Sequence, residues 1–329
     1  MIRLGVIGTN WISKSFVEAA LSTNQYQFMG VYSRKTETGS DFCQDFGGGF
    51  VETDFAAFCN RPDLDMVYIA SPNALHFEQA KSLLSAGTSV IVEKPAFSNS
   101  YEFEEIKRIA QDHDVMVFEA ARHIHEANFA RLKAALSRIG KPIGGYLNYS
   151  QYSSRYDNVL AGETPNIFSL DYSGGTLMDL GVYPIYGAMA LFGMPKTASY
   201  FPRKIATGVD GIGTAILAYE DFDLTIQVSK IARSRAQLEL YGTEGTLMAN
   251  SIANIETIEI ETKEGTSENV AAPLAEHGMA EEAQVFADIF LKGDREAYDA
   301  LLELAEAVAT LMTELRRDGG ILFPADNFL

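Results

Sequence analysis

Cysteine is scarce in this 329-residue sequence, and long apolar runs are absent. It has two cysteines, Cys43 and Cys59, and neither lies in a recognisable motif. This predicts two reduced thiols in a cytoplasmic protein rather than a structural disulfide. No stretch approaches the roughly 20 apolar residues of a membrane span. The first residues enter a strand pattern without the leader of a signal peptide, so we expect no membrane partner.

Positive charge is also scarce, because 26 lysines and arginines stand against 44 aspartates and glutamates, a formal net charge of -18. Binding to nucleic acid needs clustered lysine and arginine, so no DNA or RNA partner is expected. An anionic cofactor is still compatible with this charge, since a few local donors outweigh a diffuse acidic surface within a Debye length of about 8 Å. The acidity itself identifies no substrate.

The chain does have the length for two domains and 47% hydrophobic residues for their cores. Up to Ala121 it alternates strand and helix patterns. Met66–Ala70 and Ser89–Val92 are short, continuously apolar strands, as in a parallel sheet that is buried on both faces. A helix pattern between them stops at Gly87, a residue suited to a helix C-terminus. This alternation predicts an α/β domain with a Rossmann-type, doubly wound parallel sheet.

The pattern changes after Ala121. Strand-like runs separated by turns follow, with helices towards the ends; these runs are Gly145–Tyr152, Ala198–Ile205, Thr214–Tyr219, Leu224–Lys230, Gln237–Tyr241 and Ile255–Glu261. Such an order is typical of an α+β domain with a large, mostly antiparallel open sheet. We therefore predict a cofactor-binding domain over residues 1–121 and a domain for substrate binding and oligomerisation over residues 122–329.

The first strand ends in a turn that resembles a dinucleotide-binding fingerprint. Gly8 fits the first position of G-x-G-x-x-G, Asn10 replaces the second glycine and Ser13 replaces the third. Asparagine tolerates a positive φ better than other non-glycine residues, and serine is small. A plain tight turn would give the same letters. Its place at the start of a βαβ series nevertheless favours a site where backbone N–H groups and a helix N-terminus meet a pyrophosphate.

The end of the second strand predicts the choice of cofactor. A carboxylate at this point would bind the ribose 2′-hydroxyl of NAD. This chain instead has Ser33, Arg34 and Lys35, a hydroxyl and two cations that suit the 2′-phosphate of NADP. The alternative is that both cations simply precede a helix, where positive charge is unfavourable. We predict NADP as the preferred cofactor, with NAD as the alternative.

Three residues form a set that can handle protons. Lys94 follows a buried strand, at the end where ligands bind in parallel sheets, and Asp179 and Tyr183 are four residues apart on one predicted helix face. Lysine and tyrosine both have reference pKa values of about 10. Placed together, the ammonium favours tyrosinate, and burial lowers the pKa of the lysine. The ordinary alternatives are a surface lysine, an aspartate at a helix N-terminus and a buried tyrosine.

Five segments in this order and spacing resemble the Gfo/Idh/MocA oxidoreductases over essentially the whole chain. They are Ala70-Ser-Pro-Asn73 with His76, Glu93-Lys-Pro95, Glu119-Ala-Ala-Arg122, Gly174-Gly175, and Asp179-Leu-Gly-Val-Tyr183. The resemblance implies hydride transfer between a nicotinamide cofactor and a secondary alcohol or carbonyl of a sugar, cyclitol or dihydrodiol-like substrate. Many members have histidine at the position of Tyr183.

The resemblance also implies roles for individual residues. Lys94, Asp179 and Tyr183 would be catalytic. The cofactor would be bound by Gly8, Thr9, Asn10, Trp11, Ile12, Ser33, Arg34, Lys35, Ser71, Pro72, Asn73, His76, Glu93, Lys94 and Arg122. Members often carry His-Pro after the arginine at the domain junction, whereas here Glu126 follows His125, so the role of His125 stays open.

The loop that precedes Asp179 is rich in hydrogen-bonding side chains. We expect Tyr152, Arg155 and Asn166 to bind a polyol together with Asp179 and Tyr183. His123 and His125 invite a metal interpretation, but two histidines two residues apart share a face only on a strand, and no further ligand cluster stands nearby. We therefore predict no metal.

The sequence also gives an expectation about assembly and leaves two alternative functions open. Alternating apolar residues such as Leu224, Ile226 and Val228 suggest an exposed apolar face of the second sheet, and hence a homodimer or homotetramer. The two alternative functions are a non-catalytic NADP-sensing protein of the same fold and an NAD-assisted glycosidase. The presence of Lys94, Asp179 and Tyr183 together favours the oxidoreductase, since a sensor has no need of proton transfer.

Overall fold

The computed structural model describes residues 1–328. The chain divides into two compact units. The first consists of Met1–Arg122 and Ala275–Glu306, and the second of His123–Leu274 and Ala307–Leu329. The sequence-predicted boundary at residues 121 and 122 assigned the whole remainder of the chain to the second domain, whereas this division gives a later segment to the first unit.

The first unit contains a six-stranded parallel sheet in the order β3-β2-β1-β4-β5-β6, the doubly wound order of dinucleotide-binding domains. Its strands are β1 (Ile2–Ile7), β2 (Tyr26–Tyr32), β3 (Phe50–Glu52), β4 (Met66–Ile69), β5 (Ser89–Glu93) and β6 (Val117–Ala120). Its first helices are α1 (Trp11–Ser22), α2 (Thr36–Gln44), α3 (Phe55–Cys59), α4 (His76–Ser85) and α5 (Ser100–Asp112). Every residue of β4 and β5 is buried, which explains why β4 and the central residues of β5, Val90–Val92, form apolar runs. The predicted α/β fold of this region is confirmed.

The late segment belongs to the first unit because it packs on the parallel sheet. It contains α9 (Ala280–Lys292) and the first half of α10 (Arg295–Asp318). The Tyr26 hydroxyl donates to the Ala283 carbonyl at 2.8 Å, and the rings of Phe118 and Phe286 stack with centroids 4.7 Å apart. Tyr298 of α10 also packs edge-on against Phe118, with ring centroids 5.5 Å apart, so both helices cover apolar surface of the first unit.

The second unit contains an eight-stranded sheet in the order β14-β13-β12-β11-β7-β10-β9-β8. The strands are β7 (Pro142–Ser150), β8 (Thr197–Lys204), β9 (Asp210–Ala218), β10 (Asp223–Ser229), β11 (Leu238–Gly242), β12 (Gly245–Ala249), β13 (Ile258–Thr262) and β14 (Ser267–Asn269). The helices are α6 (Ala127–Ala135), α7 (Tyr156–Leu160), α8 (Val182–Phe192) and the second half of α10. β7 and β10 pair parallel and the other neighbours pair antiparallel. The prediction of a mostly antiparallel open sheet is confirmed.

The apolar residues of β10 lie on the buried face of the sheet, so the expectation that they form an exposed face is wrong. Leu224, Ile226 and Val228 are at most 1% exposed, so they lie in the core of the second unit. The register places Leu224 beside Leu217, which is also buried. The alternate residues form the open face, where Ile216 is 39% exposed and Phe201 is 61% exposed. The alternation was correct, but a period of two does not say which face meets solvent.

None of the helices formed by residues 1–328 combines the length and the apolar character that a membrane crossing requires.

Candidate active site

The turn after β1 requires glycine at its first position. Gly8 has φ +104°, and a Cβ atom there would lie 2.9 Å from the Ala70 carbonyl oxygen. Both the backbone conformation and the lack of space exclude a side chain. Glycine therefore lets the chain turn closely against the end of β4 and enter α1, and a helix N-terminus after such a turn is where dinucleotide pyrophosphates bind.

Asn10 does not replace glycine in the way that the sequence suggested. Its φ is -85° and its ψ 176°, so the expectation of a positive φ is wrong. The residue is extended because it is the N-cap of α1: Oδ1 accepts from the N–H groups of Ile12 at 3.0 Å and Ser13 at 3.1 Å. Its Nδ2 donates to the Ala70 carbonyl at 2.7 Å. Asn10 thus ties the helix N-terminus to the end of β4.

The other residues of the predicted cofactor site around β1 and β2 differ in exposure. Trp11, the single tryptophan of the chain, is 75% exposed at the start of α1. Ser33 is buried, and its hydroxyl donates to the Lys35 carbonyl at 2.9 Å, so it shapes the turn. Arg34 and Lys35 are exposed, and both follow the carboxyl end of β2. Thr9 and Ile12 are partly buried.

The segment after β4 is held by His76. The ring is 1% exposed; Nε2 lies 2.8 Å from the Ser71 carbonyl oxygen and Nδ1 3.1 Å from the Ala96 carbonyl oxygen. Burial lowers the pKa of His76. His76 therefore connects the loop after β4 to the loop after β5. The Ser71 hydroxyl donates to Gln79 Oε1 at 2.7 Å. Pro72 and Asn73, which follow Ser71 in the same loop, are partly buried.

Lys94 follows the last residue of β5 and is partly buried. The preceding carboxylate, Glu93, accepts a hydrogen bond from the Tyr68 hydroxyl, and burial raises the pKa of Glu93 against the opposing effect of the Lys94 charge. Glu119 Oε1 accepts from the Ala96 N–H at 2.9 Å. The loop that carries Lys94 is thus fixed from β4 and from β6, and Arg122 lies just after β6, partly buried.

Asp179 lies in a π-helical turn of the second unit, Leu177–Gly181, which continues directly into α8. Such wide turns occur often at functional sites. The start of the turn is fixed by buried Asp210, whose carboxylate accepts from the N–H groups of Thr176 at 3.0 Å and Leu177 at 2.7 Å. Tyr200 donates its hydroxyl to the same carboxylate at 2.5 Å, and burial raises the pKa of Asp210.

The carboxylate of Asp179 pairs with a lysine that the sequence analysis did not single out. Lys230 Nζ lies 2.5 Å from Asp179 Oδ2, and the two side chains are 2% and 30% exposed, respectively. The ammonium also lies 4.8 Å from the ring centroid of Phe168, a distance typical of cation–π contact. The catalytic candidate Asp179 is therefore one end of an ion pair whose other end is buried.

Tyr183 is in the first turn of α8 and is partly buried. Its ring packs against Tyr149 and His123, with centroid distances of 5.1 Å and 5.0 Å. His123 is 1% exposed, and its Nε2 lies 3.0 Å from the Tyr183 carbonyl oxygen. The histidine thus supports the backbone of the tyrosine.

Burial lowers the pKa of His125 to about 4. Within residues 1–328 no group of three or more His, Cys, Asp or Glu side chains is arranged to hold a metal.

The predicted substrate loop brings two of its three residues together. Arg155 and Asn166 are exposed and line one open cavity of about 520 Å³, together with Asn158, Glu163, Thr164 and Pro165. Tyr152 is 40% exposed, and its hydroxyl donates to Asp157 at 2.6 Å. The loop is therefore a hydrogen-bonding surface of the second unit.

Three buried polar residues of the structure were not singled out from the sequence: Tyr68, Asp210 and Lys230. Each lies within or beside a strand that contains buried apolar residues, and each is at most 1% exposed. A buried polar residue needs a partner, and this was the available signal. The partner itself is remote in sequence, since 51 positions separate Lys230 from Asp179.

A doubly wound sheet with a glycine turn, followed by an α+β unit that carries Asp179 and Tyr183, defines a two-domain oxidoreductase of the nicotinamide-dependent class. The sequence profile described as an oxidoreductase family with an NAD-binding Rossmann fold matches residues 2–121. The profile of the GFO/IDH/MocA C-terminal domain matches residues 129–248. The chain belongs to the GFO/IDH/MocA family, as the resemblance predicted.

Individual relatives cover the whole chain. The scyllo-inositol 2-dehydrogenase (NADP(+)) IolU of Bacillus subtilis is 38% identical over 99% of this chain and 100% of its own length. The trans-1,2-dihydrobenzene-1,2-diol dehydrogenase of Macaca fascicularis is 24% identical over 99% of both chains. The solved structure of KijD10, a 3-ketoreductase from Actinomadura kijaniata in complex with NADP and TDP-benzene, has a TM-score of 0.82 at 23% identity and covers 96% of this chain and 97% of that one. This last likeness concerns the fold.

Proposed function

We propose that this oxidoreductase is an NADP-dependent dehydrogenase that acts on a secondary alcohol of a cyclitol or similar polyol. The observation that carries the proposal is the set of proton-handling groups: Lys94 at the carboxyl end of β5, and Asp179 and Tyr183 on adjoining turns. A cofactor sensor has no use for such a set. The substrate class is supported by the relative that is named a scyllo-inositol 2-dehydrogenase.

The cofactor proposal is supported by three features of the first unit. Gly8 allows the tight turn after β1, α1 begins at that turn, and Arg34 and Lys35 supply positive charge after β2. The residues that would hold the cofactor are those of the sequence prediction, with Ser33 and His76 acting through the backbone that they support. A bound NADP would supply the hydride acceptor for oxidation of a secondary alcohol.

The residues would divide the remaining work as follows. The hydroxyl proton has to leave as the carbonyl forms, and Tyr183 is the proposed acceptor. Lys94 is the second proposed catalytic residue, as the resemblance implies, and its role would be to supply positive charge that favours a phenolate. Asp179 accepts a hydrogen bond from a substrate hydroxyl and so orients the polyol. Tyr152, Arg155 and Asn166 would bind hydroxyl groups further from the reacting carbon.

Assembly and compartment are also proposals. The open face of the second sheet carries Phe201 and Ile216, which are 61% and 39% exposed, and Tyr241, which is 37% exposed. A homodimer or homotetramer through this face would bury them, and light scattering at micromolar concentration measures the mass. Cys43 and Cys59 are free and buried, which suits a reducing compartment such as the cytoplasm.

The test is a panel of inositols and sugars with NADP or NAD, followed at the absorbance band of the reduced nicotinamide. Cofactor reduction with an inositol, faster with NADP, is the expected result. Binding of NADP without turnover of any polyol would favour the sensor. Release of a sugar from a glycoside without net reduction would favour the NAD-assisted glycosidase.

A further inference from the structure

Lys230 has a place in the fold that a surface lysine would not have. It directly follows β10, its side chain is 2% exposed, and its ammonium lies 2.5 Å from Asp179 Oδ2. A buried ammonium is costly unless an anion compensates it. The Asp179 carboxylate is such an anion, since it lies within hydrogen-bonding distance of the Lys230 ammonium.

The pair is asymmetric in its access to solvent. The Asp179 side chain is 30% exposed, whereas that of Lys230 is almost fully covered, partly by the ring of Phe168. A small molecule in solution can therefore meet the carboxylate but not the ammonium. Any effect of Lys230 on a bound substrate has to pass through Asp179.

The backbone fixes the separation of the two partners. The Lys230 N–H donates to the Gly211 carbonyl at 2.9 Å, and the Thr176 hydroxyl donates to the same carbonyl at 2.7 Å. Thr176 directly precedes the π-helical turn of Asp179. The Gly211 carbonyl thus binds both the backbone of Lys230 and the residue before the Asp179 turn, which fixes the distance between the two backbone segments.

We propose that Lys230 is a positioning residue of the active site, which holds the Asp179 carboxylate in one orientation and keeps it ionised when the site meets a polyol. The inference rests on the proposed role of Asp179. An ionised carboxylate only accepts hydrogen bonds, so it can receive a substrate hydroxyl, while a protonated one would itself donate. Lys230 would therefore set the lower pH limit of activity.

Other titratable groups surround this turn. The carboxylate of Asp210 in β9 accepts hydrogen bonds from the N–H groups of Thr176 and Leu177. It also accepts one from the Tyr200 hydroxyl of β8. Tyr149 of β7 and Tyr183 of α8 pack against each other. The tyrosines have reference pKa values of about 10 and leave the acid range to the carboxylates. Asp210 could add an acid limb of its own, but Lys230 pairs with Asp179, so removing the lysine identifies which carboxylate is responsible.

The experiment compares Lys230→Met and Lys230→Arg with Lys196→Met, a matched lysine of the same unit that pairs with Glu220 at the surface. The measurement is the pH profile of kcat/KM with NADP and the best inositol of the panel. We expect Lys230→Met to move the acid limb upward by about one to three pH units and to lower kcat/KM at neutral pH by about tenfold or more. Lys230→Arg should restore the limb, and Lys196→Met should match the parent.

Two further variants separate this inference from the proposed function. In the Asp179→Asn background, Lys230→Met should cost little more, since the two residues act as a unit. If Asp179→Asn alone leaves turnover intact, the proposed role of Asp179 fails. If Asp179→Asn abolishes turnover but Lys230→Met leaves the acid limb unmoved, only the role of Lys230 is overturned. Should Lys230→Met fail to fold, a shifted limb in Lys230→Gln supports the inference and an unshifted one overturns it.

Discussion

Replacing Asn10 by alanine tests the link between the cap of α1 and cofactor binding. The substitution removes the two contacts to the N–H groups of Ile12 and Ser13 and the contact to the Ala70 carbonyl. Loss of an N-cap typically costs about 1 kcal/mol, and loss of one further hydrogen bond about another 1 kcal/mol. We therefore expect the free energy of unfolding to fall by about 2 kcal/mol in urea titrations.

The same change should weaken NADP binding by about tenfold, because part of the cost of ordering the turn then falls on binding. Trp11 is adjacent to Asn10 and is the single tryptophan, so its fluorescence gives the dissociation constant directly. Asp54→Ala is the matched control: Asp54 caps α3 with the same pair of contacts, to the N–H groups of Ala56 and Ala57, away from the turn after β1 in sequence. The control should lose about 1 kcal/mol and keep its affinity. Equal affinity of Asn10→Ala and parent, despite the lost stability, would refute the reasoning.

Three further outcomes follow from other contacts. Asp326→Ala should lower the free energy of unfolding by about 3–5 kcal/mol, because it removes the carboxylate that compensates the charge of the buried Arg316. The exposed pair Arg108–Asp112 provides the control, and Asp112→Ala should cost less than about 0.5 kcal/mol in the same urea titration. In the unfolded chain His125 has its usual pKa of about 6.5, whereas in the folded protein its pKa is about 4. The free energy of unfolding should therefore fall by up to about 3 kcal/mol as the pH drops through this window. His125→Gln should remove this pH dependence, and an equal loss in both proteins would contradict the explanation. Arg34→Ala should weaken NADP by about 1.5–3 kcal/mol and NAD far less, and an equal loss in a binding titration would exclude Arg34 from the 2′-phosphate.

The first unit was largely predictable because its signals are local. Apolar strands such as Met66–Ala70, a glycine turn and helix caps determine a doubly wound sheet with few alternatives. The short strand β3 was missed, since three residues carry no period. The packing of Ala275–Glu306 on the parallel sheet depends on interactions such as the hydrogen bond between Tyr26 and Ala283. These residues are 257 positions apart, so neither local sequence predicts the contact.

In the second unit the strands were predictable but their surroundings were not. The alternation of β10 was correct, yet its buried face was taken for the exposed one, because the sheet is covered by elements that lie far away in sequence. The same holds for the candidate site. Asp179 and Tyr183 stand in a motif that can be read directly, whereas Lys230, the partner of Asp179, follows a different strand and becomes visible only when the chain is folded.

We propose that this chain removes hydride from a carbinol carbon with the help of Lys94. The most direct measurement uses the best polyol of the panel, deuterated at its hydroxyl-bearing carbons, and determines by mass spectrometry whether the reduced NADP carries deuterium. The account predicts deuterium in the nicotinamide with the parent protein. With Lys94→Met, NADP binding should be preserved and the transfer about 10²–10⁴ times slower. Product formed without deuterium in the nicotinamide, or transfer at the parent rate in Lys94→Met, would contradict it.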